Sequence, residues 1–339
     1  MMHALVTSPP GGWLNTRITE IELREGRPTD VLVQIHAVGL NPADNFQIEG
    51  KYPGGPKPPF IPGRDACGVV IRGDGDGKWK PGDSVVVLQS STTDLINGTL
   101  CEKQWVAAEN LARKPDAWTE AEAAAAPLVF QTSWKALFDV GGLKPGQSVV
   151  ITGASGGVGL AAVQLANSAG AIVVALSRSE AKRSRLQQIG AHHVFAPDDP
   201  HLKEKICDAV KSKGVSLVVE NVGGPSLSTS VHLLGVHGRV SVVGILGGVE
   251  GTIPIPALMF KRASIHGVLV TDDTPQQAQA AWEQIVTLMS RTQSRPVFDQ
   301  VFPLKEAAAA FKKLNENVFG KVLIALAQPV DARRMMGSG

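Results

Sequence analysis

The rhythm of apolar and polar positions changes near residue 119. Before it, short strand-like runs dominate. Val31-Leu32-Val33-Gln34-Ile35-His36-Ala37-Val38 has the two-residue period of a half-buried strand. Val69-Val70-Ile71, Val85-Val86-Val87-Leu88 and Gln104-Trp105-Val106 are further short runs. Turns separate them at Pro53-Gly54-Gly55-Pro56, Pro62-Gly63 and Pro81-Gly82-Asp83. This pattern predicts a compact, barrel-like, antiparallel β domain.

After Thr119 strands and helices alternate. An Ala-rich helix is predicted over 120–126, and Val149-Val150-Ile151-Thr152 reads as a buried strand. A helix over 160–168 stops at Gly170, the strand Ile172-Val173-Val174-Ala175-Leu176 follows, and a helix over 181–189 stops at Gly190. Leu217-Val218-Val219 and Val240-Ser241-Val242-Val243 continue the series with a helical segment between them. Unbroken Val/Ile/Leu strands separated by helices predict a parallel sheet covered on both faces. Beyond about residue 270 the pattern predicts helices near 276–289 and 305–315 and a last strand over 321–326, which returns to the first domain. The expected division is 1–123 with 267–327 against 124–266, and 328–339 is expected to be a disordered tail.

Composition narrows the class. At 339 residues the chain has room for about two domains. The formal charge of +2 gives no field for nucleic acid or an anionic membrane. Three scattered cysteines, Cys67, Cys101 and Cys207, make no disulfide framework and fit a reducing cytoplasm. No apolar run approaches the roughly 20 residues of a membrane span, and the N-terminus does not read as a signal peptide. Gly73-Asp74-Gly75-Asp76-Gly77 looks briefly like a calcium loop, but its twelfth position is Val85, so it reads as a β-turn. His192 and His193 are adjacent and read as loop residues.

The motif Gly153-Ala154-Ser155-Gly156-Gly157-Val158-Gly159 carries the most chemistry. It follows a predicted strand and opens a predicted helix. Such a turn lets backbone amides approach a pyrophosphate at a helix N-terminus, with Ser155, Gly156, Gly157 and Val158 nearest it. The same residues also spell G-x-S-x-G, a hydrolase nucleophile elbow around Ser155. That alternative needs a base, an acid and an oxyanion loop. No His-Gly-Gly motif precedes it, and His232, His237 and His266 have no distinctive context. Nucleotide binding is the stronger reading.

The second strand of the series selects the cofactor. NAD sites carry an acid at this tip for the ribose 2′-hydroxyl. Here the tip reads Leu176-Ser177-Arg178-Ser179, with Lys182 behind it. A hydroxyl and a guanidinium suit a 2′-phosphate, so the expected cofactor is NADPH, held by Ser177, Arg178 and Lys182.

Taken together, the β-rich start, Pro81-Gly82-Asp83, Lys144-Pro145-Gly146 and the A-x-G-G-x-G loop resemble the medium-chain dehydrogenase/reductase superfamily from about residue 3 to 327. The resemblance implies an α/β fold: a GroES-like β-rich catalytic domain plus a Rossmann domain with a doubly wound parallel sheet, the ligand crevice lying between them. It also implies a homodimer, with 265–270 offering an edge strand. Zinc enzymes of this superfamily have a Cys and a Gly-His-Glu where this chain has Asn41 and Gly63-Arg64-Asp65, so no metal is expected and hydride transfer is expected to run without a Lewis acid.

The zinc-free branches are quinone reductases and enoyl-thioester reductases. Asn41-Pro42-Ala43-Asp44 resembles their shared N-P-x-D motif; Phe46 stands where quinone reductases often have a Tyr, and Tyr52, the single tyrosine, stands where thioester reductases have a proposed proton donor. Resemblance further places Asn41 near the nicotinamide, Arg64 either toward the substrate or paired with Asp65 or Asp44, and Thr132, Asn221, Gly244 and Lys321 at the cofactor. The expected function is reduction of a small quinone or an enone by NADPH. A trans-2-enoyl-thioester reductase with Tyr52 as donor, and an NADPH-binding sensor without turnover, remain as alternatives.

Overall fold

The computed structural model describes residues 1–8, 12–23, 25–88 and 98–326. In chain order the elements are β1 (Met2–Thr7), β2 (Thr16–Ile21), β3 (Asp30–Gly39), α1 (Pro42–Ile48), β4 (Ala66–Arg72), β5 (Ser84–Val87), β6 (Lys103–Ala107), β7 (Leu111–Arg113) and α2 (Glu120–Ala124). Then come α3 (Pro127–Trp134), β8 (Ser148–Ile151), α4 (Gly157–Ser168), β9 (Ile172–Leu176), α5 (Glu180–Gln188), β10 (His193–Phe195), α6 (Leu202–Val210), β11 (Val215–Glu220), α7 (Ser226–Leu233) and β12 (Leu234–Val242). The last are α8 (Ile255–Lys261), β13 (Ser264–Gly267), α9 (Pro275–Arg291), β14 (Phe298–Pro303), α10 (Ala307–Leu314) and β15 (Lys321–Ala325).

The chain forms two units. The first is the β-rich, GroES-like one and takes Met1–Leu128, Asp273–Trp282 and Arg295–Gly339. Among its described residues a sheet runs β14-β15-β3-β4-β5-β7, with β6 paired to β3, and β1 and β2 form a separate hairpin. β3 is the central strand. Its alternate positions Val31, Val33 and Ile35 are fully buried, as the two-residue period predicts. Val38, Leu40, Ile48, Leu100, Phe311 and Ile324 complete the core around it. The last strand, expected over 321–326, is β15 and pairs antiparallel with β3.

The second unit takes Val129–Asp272 and Glu283–Ser294. Its sheet runs β10-β9-β8-β11-β12-β13, parallel at every pairing. The order is that of a doubly wound sheet, with β8 and β9 side by side and β11 on the other flank of β8. α4 is buried along its whole middle, Gly159 to Ala166, which is why its sequence is apolar all round. β13 is the edge strand that 265–270 predicted, shifted to Ser264–Gly267.

Two expectations need correction. The segment 267–327 does not return whole to the β unit. The start of α9 does: the Trp282 ring packs edge-to-face on Trp118 at 5.8 Å, and Gln279 Nε2 donates to the Glu109 carbonyl at 2.8 Å. The end of α9 stays with the parallel-sheet unit, where the Thr292 and Ser168 hydroxyls meet at 2.7 Å. Likewise His193 is not in a loop but opens β10, while His192 Nδ1 accepts the Val173 amide hydrogen at 3.1 Å. The tail 328–339 and most of the loop 88–98 lie outside the described residues. Among the described residues no helix is long and apolar enough to cross a membrane.

Candidate active site

In the β unit, four side chains converge below the end of β3. Asn41 caps α1, and Pro42 takes the first helical position, where its missing N–H costs nothing. Asp44, three residues on, accepts the Asn41 amide hydrogen at 2.8 Å through Oδ2. That fold-back is the physical reason for the N-P-x-D spacing. Asn41 Nδ2 donates to Asp65 Oδ2 at 3.0 Å, and its Oδ1 accepts from Lys321 Nζ at 2.6 Å. Lys321 Nζ also pairs with Asp65 Oδ2 at 2.8 Å. The other oxygen of Asp65 accepts the Leu128 amide hydrogen at 2.7 Å. Lys321 is 3% exposed and Asp65 1%, so this is a fully buried ion pair.

One edge of the cluster is less complete. Arg64 Nε lies 4.0 Å from Asp44 Oδ1, too far for a hydrogen bond, and neither atom has a hydrogen-bond partner among the described residues. Burial pushes the Asp44 carboxyl up to about 6, against the pull of the Arg64 and Lys321 cations. The Arg64 guanidinium, on a side chain 11% exposed, lies over the ring of half-buried Tyr52, 4.8 Å from its centroid. Stacking of this kind holds a cation in place while leaving its N–H groups directed elsewhere.

In the parallel-sheet unit, the glycine-bearing turns gather at the carboxyl ends of the strands. Gly153 leaves β8 with φ +55°, in the left-handed region that glycine adopts freely. Gly156 caps α4. A Cβ on Gly159 would overlap the Gly153 carbonyl oxygen, so the third glycine is required for the turn to pack on its own helix. Ser133 Oγ donates to the Val158 carbonyl at 2.9 Å, which ties the buried Thr132–Ser133 stretch of α3 to the same turn. Asn221 follows β11; its amide donates to Thr152 Oγ1 at 2.8 Å and its Nδ2 to the Thr152 carbonyl at 2.9 Å. A Cβ on Gly244 would overlap the Asn221 carbonyl oxygen, so these two loops touch. At the end of β9, Ser177 is buried and Arg178 exposed, and Arg183 Nε donates to the Ser177 carbonyl at 3.4 Å.

Comparisons with known proteins agree with this geometry. An alcohol dehydrogenase GroES-like domain family matches residues 27–116, and a zinc-binding dehydrogenase family matches 157–291. Human quinone oxidoreductase is 31% identical over 299 residues, covering 87% of this chain and 89% of the relative. The chain belongs to the medium-chain dehydrogenase/reductase superfamily, in its quinone oxidoreductase branch. Among solved structures, an NAD-dependent alcohol dehydrogenase superposes with a TM-score of 0.87 at 28% identity, covering 96% of this chain and all of that one. A mycobacterial protein complexed with NADPH superposes at 0.83 and 23% identity, again over 96% of this chain and 100% of its own. The protein is therefore an oxidoreductase of that branch. The glycine cradle at Gly153–Gly159, closed to any side chain at its third glycine, fits a nicotinamide dinucleotide.

Zinc, which the second matched family is named for, does not fit. Zinc takes Cys, His and carboxylate ligands. At Asn41, Arg64 and Asp65 the one carboxylate already has both oxygens engaged by Lys321, Asn41 and Leu128, and two cations stand around it. Among the described residues no group of three or more His, Cys, Asp and Glu is placed to hold a metal ion.

Membership in this branch also removes the hydrolase alternative for Ser155. Two of its three candidate bases are engaged elsewhere: His232 Nδ1 with the Ser228 carbonyl and His266 Nε2 with Ser264 Oγ. The structure bears on the two expected cofactor lysines. Lys321 does not extend a free ammonium toward a phosphate, because Asp65 and Asn41 hold it inside the β unit. Lys182 is buried in α5, whereas Arg178 is exposed at the end of β9. The sequence reading missed Glu220, which is fully buried at the end of β11. The available signal was a lone acid closing the apolar run Leu217-Val218-Val219.

Proposed function

We propose that this chain is a zinc-independent, NADPH-dependent reductase of quinones and of activated C=C bonds in α,β-unsaturated carbonyls. One observation carries the substrate side: a nearly buried guanidinium, Arg64, stacked on Tyr52 with an unpartnered Nε. Both substrate classes develop negative charge on an oxygen as hydride arrives. The cofactor supplies that hydride. Arg64 offers a fixed positive charge to the oxygen, the electrostatic role a metal plays in the zinc branches. The Tyr52 hydroxyl donates a hydrogen bond and then a proton. Asn41, Asp65 and Lys321 hold the floor of the cluster rigid. The preference for NADPH rests on the tip of β9, where Arg178 is exposed beside Ser177 and no acid stands.

The test follows NADPH oxidation at 340 nm on chelator-treated protein. A small quinone, a simple enone and a trans-2-enoyl thioester are run in parallel, each also with NADH. The reading expects quinone or enone turnover that survives chelation, and an NADPH preference that shrinks by about tenfold in Arg178→Ala, the loss of one charge-assisted phosphate contact. Faster turnover of the thioester, abolished in Tyr52→Phe, would replace it with a thioester reductase. Tight NADPH binding with no turnover of any acceptor would make the protein a sensor.

A further inference from the structure

Glu220 is a carboxylate with no exposure at all, placed where three loops meet. A buried charge is tolerated only when hydrogen bonds replace its water. Here five donors converge on it. Oε1 accepts from Thr152 Oγ1 at 2.9 Å, from the Val222 amide at 2.9 Å and from the Gly223 amide at 3.0 Å. Oε2 accepts from Ser226 Oγ at 2.9 Å and from Ser230 Oγ. The backbone carbonyl of the same residue accepts the Val243 and Gly244 amides at 2.9 and 3.2 Å. Thr152 in turn receives both the amide and the side chain of Asn221.

One residue thus ties together the strand end that launches the glycine-rich turn, the Asn221–Gly224 loop with the start of α7, and the Gly244 loop. We propose that Glu220 is the positioning residue of the cofactor site: its carboxylate sets the spacing of the three loops that receive the dinucleotide, without touching the substrate. This rests on the reading that these loops hold NADPH. The work is done by acceptor geometry and not by charge. An amide oxygen in place of Oε1 keeps the Thr152, Val222 and Gly223 bonds, and an amide nitrogen in place of Oε2 finds two serine hydroxyls that can rotate to accept. An alanine leaves five donors facing a void.

The experiment measures the NADPH dissociation constant by cofactor fluorescence, with kcat and both KM values on a small quinone. It uses the full chain carrying Glu220→Ala, Glu220→Gln and Thr152→Val. Glu220→Ala is expected to raise the NADPH Kd and KM by about tenfold or more, with kcat at saturating NADPH and the quinone KM within about twofold. Glu220→Gln is expected to restore NADPH binding to within about threefold of the parent. Thr152→Val, which removes one shared hydroxyl, is expected to fall between them, and it carries the test should Glu220→Ala fail to fold. A folded Glu220→Ala or Thr152→Val with unchanged NADPH Kd overturns the proposal. So does a Gln variant as impaired as the Ala variant, or a loss confined to kcat. Parent protein that binds no NADPH overturns the underlying reading as well, and that result is distinct because it appears before any substitution.

Discussion

Asp44 and Glu220 are both buried acids beside candidate binding elements, yet their surroundings are opposite. Glu220 has two oxygens and five donors, and every lone pair that matters is used. Asp44 has one satisfied oxygen; the other faces a guanidinium 4.0 Å away and bonds to nothing among the described residues. A saturated buried network specifies one arrangement of loops. An unsaturated one keeps polar groups of both signs available, at a cost in stability, which is what a site that must meet a changing substrate needs. The difference teaches where to look for chemistry and where for scaffolding: the proposed function puts Arg64 in the first kind, and Glu220 and Lys321 in the second.

The comparison breaks first at Lys321. If the Asn41–Asp65–Lys321 core is scaffold, Lys321→Met leaves a buried carboxylate without its cation and should cost about 3–5 kcal/mol. Adding Asp65→Asn to the same protein should recover most of that loss, because the stranded charge goes with its partner. Chemical denaturation at pH 7 measures both. A single variant costing under about 1 kcal/mol would show that Lys321 is not holding the β unit together.

Arg64 should behave in the reverse way. Arg64→Met removes a cation that no hydrogen bond satisfies at Nε, so stability should change by less than about 1 kcal/mol. Asp44, already pushed up to about 6, can respond to the loss by taking a proton instead of standing charged. Turnover should fall by about 10²-fold, the usual loss for one electrostatic donor to a developing oxyanion. Steady-state kinetics beside a denaturation curve separates the two. A large stability loss with proportionate activity would move Arg64 into the scaffold and undo the contrast.

Much of this was legible in the sequence, for local reasons. Alternation located β3, short apolar runs between Pro/Gly turns located β4, β5 and β6, and the strand–glycine–helix run located β8, α4 and β9, because burial and turn sterics act over a few residues. N-P-x-D announced a family; that it is also a helix cap emerged only from the structure. Long-range pairing was not legible. Nothing local says that Lys321 turns back to Asp65 and Asn41 instead of outward to a phosphate, since a lysine after a glycine reads the same either way. Glu220 hid for a similar reason: its five donors come from Thr152 and from residues 222–230, and only the fold brings Thr152 and Ser230 to one carboxylate. The split of α9 between units depended on contacts at Trp118 and Ser168 that no period in the helix encodes.

The smallest expected effect comes from a pair intermediate between the two extremes. His36 Nδ1 and Glu120 Oε1 lie 2.6 Å apart, on side chains 23% and 35% exposed. The hydrogen bond to Glu120 raises the His36 pKa, with burial opposing and the Glu120 charge assisting. The same bond lowers Glu120, again against burial. The raised histidine contributes stability that is fully present below its unfolded value of 6.5 and lost as pH rises through its folded value. The lowered glutamate contributes stability present above its unfolded 4.5 and lost as pH falls through its folded value. The pair is therefore strongest between about 4.5 and 6.5. Water screens it, so it is worth about 0.5–1 kcal/mol. His36→Gln keeps a donor but no charge. Its melting temperature should lie about 1–3 °C below the parent at pH 5.5, and the gap should close by pH 9. A gap of the same size at both pH values would mean that the pair stabilises the β unit by packing alone, and that in this unit only fully buried charges, saturated or not, shape the energetics.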